Sequence, residues 1–288
     1  MATEQWDIRG KTCIVTGGSD GIGKAAAQEL ARRGATVVII GRNQAKTQAA
    51  AAEIGRSSGN QVLFHIADLS LQAEIRRLAQ ELLDRHPHIH VLLNNAGALF
   101  DKRKLTVDGI EQTFALNHLG YVLLTGLLLD RLKSSAPARI VNVSSMAQSF
   151  GSMEFDNLQG ERSYSEIQAY GRSKLANVMF TYALARRLNN TGITVNCLHP
   201  GSVRTSFASD SKGIFGTIAR LIRPFELSAE KGAQTSIYLA SAPEVSATTG
   251  AYFDKSRPVR SSSQSYDQAA QERLWQVSQQ MVGLPPEV

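Results

Sequence analysis

KTCIVTGGSDGIGKAAAQELARR, residues 11–33, joins a short apolar run to a glycine-rich turn and then to a segment of helical length. The run, rich in β-branched residues, suits a strand covered on both faces, and the small and apolar residues after Gly23 suit a helix laid back on a sheet. Gly17, Gly21 and Gly23 allow a tight turn and close approach of backbone to a ligand. The helix start that follows offers unpaired N–H groups and a partial positive charge to a pyrophosphate. The spacing Gly-x-x-x-Gly-x-Gly has one more residue between its first two glycines than the commoner dinucleotide fingerprint. A tight turn that only packs is the plain alternative, and the strand before and helix after weigh against it.

The same alternation continues along the chain. Residues 35–40, 61–67, 89–95, 138–144, 193–199 and 250–253 read as further strands, and 44–57, 71–86, 108–133, 166–190 and 229–241 read as helices between them. Ser163 and Glu166 have capping-box spacing at the start of the helix over 166–190. RSSSQS (260–265) reads as a flexible connector to a last helix near 266–281. This pattern predicts a Rossmann-type, doubly wound α/β domain: an about seven-stranded parallel sheet with helices on both faces. With 288 residues, a single dinucleotide-binding domain spanning 1–288 is expected, with a substrate lid about 203–228 and a C-terminal extension about 254–288.

Composition narrows the function classes. A hydrophobic content of 43% and a charged content of 19% are those of an ordinary globular protein. The net charge of +6 comes from scattered Lys and Arg residues rather than a basic stripe, so no nucleic-acid partner is expected. MATEQWDIRG lacks a basic region followed by an apolar run, and the longest apolar stretch, VLLTGLLL from Val122, is far short of a bilayer's width. Neither a secretory leader nor a membrane span is expected. Cys13 and Cys197 both fall in predicted strands and give no disulfide framework, so a cytoplasmic setting is expected. No metal-ligand cluster stands out.

In a doubly wound sheet the ligand lies beyond the carboxyl ends of the strands. The second strand ends in Ile40-Gly41-Arg42-Asn43. An acid there would accept hydrogen bonds from an adenosine 2′-hydroxyl, whereas the Arg42 guanidinium fits a 2′-phosphate bidentately, so NADP(H) is expected over NAD(H). A solvated strand-end charge is the bland reading of Arg42. Further on, AYGRSK (169–174) sets Tyr170 and Lys174 four residues apart, side by side on one helical face. Interconverting an alcohol and a carbonyl moves a hydride to or from a nicotinamide while a proton crosses to or from oxygen, and a phenol beside an ammonium can carry that proton.

With the turn at 16–23 and the Tyr/Lys pair, the chain resembles the short-chain dehydrogenase/reductase family over about residues 10–253. ADLS with Asp68, NNAG (94–97), NHLG with Asn117, VNVSS ending in Ser145, and HPGSVRT (199–205) match further family motifs in order. The resemblance implies Asn117, Ser145, Tyr170 and Lys174 as catalytic residues, Ser145 holding the reacting oxygen and Asn117 helping place a water that links the lysine to solvent. Ser144 is the competing strand-end hydroxyl. It implies coenzyme contacts from Gly17, Ser19, Asp20, Gly21, Ile22, Gly23, Arg42, Asn43, Asp68, Leu69, Asn95, Ala96, Gly97, Tyr170, Lys174, Pro200, Gly201, Val203 and Thr205. ARIVNVSSMA and the stretch FDNLQGERSYSEIQAYGRSKLANVMF look like the retinol dehydrogenase-like branch; the apolar N-terminal anchor of its membrane-associated members is not seen in this chain.

A hydrophobic alcohol or carbonyl is the expected substrate. Ile214, Phe215, Ile218, Leu221, Ile222 and Phe225 recur at helical spacing, either over the site or packed on the domain, and Met146, Phe150, Met153 and Phe155 offer further walls. By resemblance, the helices at 119–133 and 171–188 would form a homodimer or homotetramer contact, using leucines with Val178, Met179 and Tyr182; the alternative is that these residues complete the monomer core. Two other function classes stay open at this stage. One is a coenzyme-binding regulatory or scaffold protein without turnover, and the other is an epimerase-like enzyme sharing the Tyr/Lys pair.

Overall fold

The buried apolar runs do become strands: β1 (Thr12–Thr16), β2 (Thr36–Gly41), β3 (Val62–Ile66), β4 (Val91–Asn94), β5 (Ala138–Val143), β6 (Ile193–Leu198), β7 (Tyr252–Asp254) and β8 (Arg257–Val259). The computed structural model describes residues 6–201 and 228–285. One sheet has the order β3-β2-β1-β4-β5-β6-β7-β8. All neighbours are parallel except β7 and β8, which form an antiparallel hairpin. The sheet therefore has eight strands rather than about seven. The eighth is short and fully exposed and carries Pro258, so it has no apolar alternation to reveal it, and proline is tolerated there because it is an edge.

The helices are α1 (Gly21–Arg32), α2 (Gln44–Ser58), α3 (Gln72–Arg85), α4 (Gly120–Ser134), α5 (Glu166–Arg187), α6 (Ala229–Ser241) and α7 (Gln268–Val282). Successive strand residues point to opposite faces. Ile14, Val38, Leu92 and Ile140 pack on one face with α3, α4, α5 and α7, while Cys13, Val15, Val37, Ile39 and Val91 pack on the other with α1, α2 and α6. The order reverses between β1 and β4, and that is where such a sheet opens a crevice.

Several expectations change in detail. The helix expected over 108–133 begins with a single turn at Gln112–Phe114 and a π-helical turn at Ala115–Leu119 before α4. Asp108 lies outside it and instead accepts from the Gln72 N–H at 3.0 Å, capping α3. Ser163 caps nothing: α5 starts after Ser165, with no side-chain cap bond, and the Ser163 carbonyl accepts from Asn157. The connector at 260–265 is tied down, because Ser265 is fully buried and its hydroxyl bonds the Ser262 carbonyl and Ser261. The continuous run Gln112–Ser134 is apolar and long enough to cross a membrane by length and composition, yet 78% of its apolar window is buried within this chain, as in a core helix.

The apolar residues read as a dimer contact are covered by the chain itself. Val178 and Met179 are fully buried and Tyr182 nearly so, as are Leu123, Leu124 and Leu128. Val178 and Tyr182 pack with Cys197 and Tyr252, while α7 covers Phe180 and Met179: Trp275 stacks on Phe180 with ring centres 5.6 Å apart, and Leu274 and Val282 join the same core. These side chains therefore complete the core of a single chain, the second of the two readings, and a homo-oligomer contact would have to use other residues.

Candidate active site

The glycine-rich turn closes against the end of β4. Gly17 has φ +65°, and a Cβ on it would lie 3.0 Å from the Ala96 Cα; a Cβ on Gly23 would lie 2.3 Å from the Gly17 carbonyl oxygen and 2.4 Å from Asn95 Nδ2. Only glycine fits both places. Thr16 fastens the two strand ends, its Oγ accepting from the Asn95 and Ala96 N–H groups at 2.8 and 3.0 Å. Asn95 in turn donates to the Thr16 carbonyl at 2.8 Å. Asp20 caps α1 through the Gly21 N–H, and Asn43 caps α2 through the Lys46 N–H.

A cavity of about 260 Å³ opens here. Its lining includes Gly17, Ser19, Asp20, Gly21, Ile22, Gly23, Arg42, Asp68, Leu69, Asn95, Ala96 and Gly97, all expected from sequence. Lys46, Ser70, Ala98, Phe100, Gln112 and Leu116 line it as well and were not anticipated. Lys46 is the informative omission: it lies four residues beyond Arg42, in the first turn of α2, and forms an exposed ion pair with Asp20 at 2.7 Å. Asp68 accepts from the Ser70 N–H and hydroxyl at 2.9 and 2.6 Å, which fixes its carboxylate at the cavity wall. The glycine-walled turn, the helix start behind it and the polar rim fit a dinucleotide.

The second half of the site lies beyond Gly97. A Cβ at Gly97 would be 3.1 Å from Asn117 Oδ1 and 3.3 Å from Lys174 Nζ, so the cavity wall runs directly into the Lys174 side chain. Lys174 is buried, donates to the Val143 carbonyl at 3.1 Å and has its Nζ 5.6 Å from the Tyr170 ring centre. Burial pulls the ammonium down to about 7. Tyr170 is half-buried in accessible surface but densely surrounded. That crowding pushes its phenol up to about 12, opposed by a hydrogen bond with Ser145. The two serines at the end of β5 separate cleanly: Ser144 is buried and donates to the Lys174 carbonyl at 2.8 Å, whereas Ser145 meets Tyr170 and accepts from the Ala147 N–H at 3.2 Å. Asn117, in the π-turn, accepts from the Ala98 N–H at 2.8 Å and donates to the Ala98 carbonyl and Ser173 Oγ at 2.9 and 3.1 Å.

Pro200 and Gly201 follow β6, where the Gly201 N–H donates to His199 Nδ1 at 3.1 Å and His199 Nε2 faces the Asp254 carboxylate at 3.2 Å. Val203, Thr205 and the apolar stripe from Ile214 to Phe225 lie outside the described residues. Of the expected substrate walls, Met146 and Phe150 are exposed, at 62% and 48%. Met153 is buried, and Phe155 packs on the core beneath the Arg273 guanidinium, so neither is a wall. Arg172 carries more than its place between Tyr170 and Lys174 suggested: its buried guanidinium donates to the carbonyls of Ser152, Asn157 and Leu158. Among the described residues no cluster of three or more metal-ligating side chains is present.

The short chain dehydrogenase family model matches residues 11–213. The chain belongs to that family. It is 43% identical to retinol dehydrogenase 12 of Mus musculus over 99% of this chain and 90% of the relative, which places it in the retinol dehydrogenase-like branch. The crystal structure of a protein from Mycobacterium Paratuberculosis is similar across 99% of this chain and 98% of its own, with 32% identity and a TM-score of 0.79. A short chain dehydrogenase from Burkholderia cenocepacia J2315, solved in complex with NADP, is 27% identical over 85% of this chain and 96% of its own, with a TM-score of 0.68. The family and the fold make the protein an oxidoreductase acting on CH–OH groups and their carbonyl counterparts.

Proposed function

We propose that the protein is an NADP(H)-dependent reductase and dehydrogenase of apolar aldehydes or ketones and their alcohols, with Tyr170 as general acid/base. The observation that carries this reading is the meeting of Ser145, Tyr170 and Lys174 at the wall where the glycine-lined cavity ends at Gly97. A reduced nicotinamide, when bound, supplies the hydride. Ser145 and Tyr170 then hold the carbonyl oxygen by hydrogen bonds, Tyr170 transfers its proton to that oxygen as the alcohol forms, and Lys174 restores the proton to the phenolate. A phenol pushed up to about 12 is fully protonated at neutral pH, which suits the reductive direction. Running the reaction as an oxidation at pH 7 requires about 7 kcal/mol of phenolate stabilisation from the surrounding positive charges, at about 1.4 kcal/mol per pH unit.

Two charges support NADP(H). Arg42 and Lys46 both line the cavity, and among the described residues Arg42 makes no ion pair. The Burkholderia structure with bound NADP has the same fold. An apolar substrate is supported by Met146 beside Ser145, by Phe150, and by Ile167 one turn before Tyr170, all exposed. Cys13 and Cys197 are buried free thiols, in keeping with a reducing, cytoplasmic setting.

The test is a panel of chain and ring aldehydes and ketones followed by NADPH absorbance, with wild type against Tyr170→Phe. Loss of turnover by about 100-fold or more is expected. Equal rates for the two proteins refute the assignment of Tyr170. Coenzyme binding without any turnover favours a regulatory or scaffold role, and substrate conversion without net NADPH consumption favours an epimerase.

A further inference from the structure

Behind the catalytic pair lies a chain of buried polar groups with no part in the chemistry so far. The π-helical turn at Ala115–Leu119 disturbs the regular helix ladder, so it tends to leave a carbonyl in need of another donor. The Asn117 carbonyl accepts from Asn177 Nδ2 at 2.9 Å. Asn177 is fully buried and sits one turn beyond Lys174 on α5. Since a carbonyl only accepts, the NH2 of Asn177 must face Asn117, which leaves Oδ1 toward His118 Nδ1 at 3.2 Å. His118 Nδ1 must then carry the proton, and Nε2 accepts from the Ser278 hydroxyl of α7 at 2.9 Å. Each of these three hydrogen bonds thereby has its donor assigned. Burial keeps His118 neutral, its pKa pulled down to about 4.

The far end of this chain reaches the active site. The Asn117 carboxamide is clamped to Ala98 and Ser173, and together with Lys174 it backs Gly97. A shift of the π-turn along α5 therefore moves Asn117 against Lys174. We propose that Asn177 is a positioning residue: its carboxamide holds the π-turn that carries Asn117 in register with Lys174, and His118 with Ser278 hold that carboxamide. The proposal rests on the oxidoreductase reading of the same site for its kinetic consequence, while the register itself is measurable without turnover.

Two variants and one exchange experiment test it. Asn177→Leu keeps the branched shape at the cost of a somewhat larger side chain and removes both polar groups. Its kcat is expected to fall by about 100-fold, as for a small misplacement of catalytic groups, with KM and NADPH affinity within about threefold of wild type. Asn177→Asp retains an acceptor for His118 and, while its carboxyl is protonated, a donor for the Asn117 carbonyl. Its kcat should approach wild type at low pH and fall by about tenfold or more as that carboxyl ionises, adding a limb that wild type lacks. In parallel, amide hydrogen exchange of NADPH-bound protein should be faster by about tenfold or more in Asn177→Leu at residues 115–121, and unchanged in β1 and α1.

Wild-type kcat in Asn177→Leu overturns the proposal. So does a kcat loss matched by an equal loss of NADPH affinity, or an Asp variant whose pH profile parallels wild type. If wild type reduces no carbonyl in the panel, the enzymatic reading fails, and the exchange experiment alone decides: faster exchange confined to 115–121 upholds the role in register, and unchanged exchange removes it.

Discussion

Arg172→Met is the substitution whose cost the structure defines best. Arg172 is 4% exposed. Its Nε donates to the Ser152 carbonyl at 3.1 Å and its Nη1 to the Asn157 and Leu158 carbonyls at 2.6 and 3.1 Å. The Glu154 carboxylate is 3.8 Å away and 56% exposed, so its charge is screened and adds little. The stabilisation lies in three charge-assisted hydrogen bonds, each worth about 1.5–3 kcal/mol before the cost of burying the cation. Methionine fills the volume, leaves the Ser152 and Leu158 carbonyls without a donor and the Asn157 carbonyl with the Gly160 N–H alone, so a net loss of about 3–5 kcal/mol is expected from unsatisfied buried acceptors at about 1–3 kcal/mol each. At about 2–4 °C per kcal/mol for a chain of this size, the melting temperature falls by about 10 °C. Lysine keeps the charge but not the planar fork and should recover less than half of the loss. Thermal and urea unfolding measure the effect, and NADPH titration serves as control, because the residues around Gly17 and Asp68 do not touch Arg172. An unfolding free energy for Arg172→Met within about 1 kcal/mol of wild type refutes the view that the fork holds residues 152–158 to the catalytic helix.

Arg42→Asp should narrow or invert the preference for NADPH over NADH, which in wild type is expected to be tenfold or more, about 1.4 kcal/mol. Because both Arg42 and Lys46 are exposed, the wild-type preference should shrink with added salt, read by fluorescence titration of both coenzymes. Gly23→Ala places a Cβ 2.3 Å from the Gly17 carbonyl oxygen, and Gly17 cannot retreat from Ala96. Coenzyme affinity should fall by about 2–3 kcal/mol, whereas Gly59→Ala, a helix-end glycine with nothing within 4 Å, should cost stability alone. Lys174→Met abolishes turnover but should raise the melting temperature. The folded-state pKa of Lys174, about 7, is depressed by burial below its ordinary value of 10.5, so below pH 7 the buried ammonium carries its full desolvation cost. As pH climbs from 7 toward 10.5 the unfolded chain binds the extra proton and wild type gains stability. The advantage of Lys174→Met should therefore be greatest at or below pH 7 and vanish near pH 10.5, checked by thermal scans across that range.

What the sequence made legible follows from backbone physics. A turn such as 16–23 admits few residues, so its glycines marked the first crossover and the side of the sheet on which the cavity lies. Strand-end residues Arg42, Asp68 and Asn95 were readable for the same reason, since a strand's length fixes where its last side chain points. Lys46 was missed because a lysine in a first helical turn is ordinarily a solvated charge, and only the fold places it beside Arg42. The roles of Arg172, Asn177 and His199 depend on partners 14 to 60 residues away or on Asp254, distances over which no periodicity reports. The π-turn was hidden because its apolar pattern is that of an ordinary helix. Met153 and Phe155 were misjudged as walls because apolar character does not say which way a loop side chain turns.

The last helix changes how the protein should respond to dilution. Trp275, Leu274 and Val282 already occupy the apolar flank of α5, so a second copy docking on that flank gains little contact that the chain has not made for itself. Folding by a contact within one chain does not depend on concentration. The melting temperature should accordingly stay constant from nanomolar to micromolar protein, and a chain ending before Gln268 should instead begin to self-associate through the flank thus laid bare.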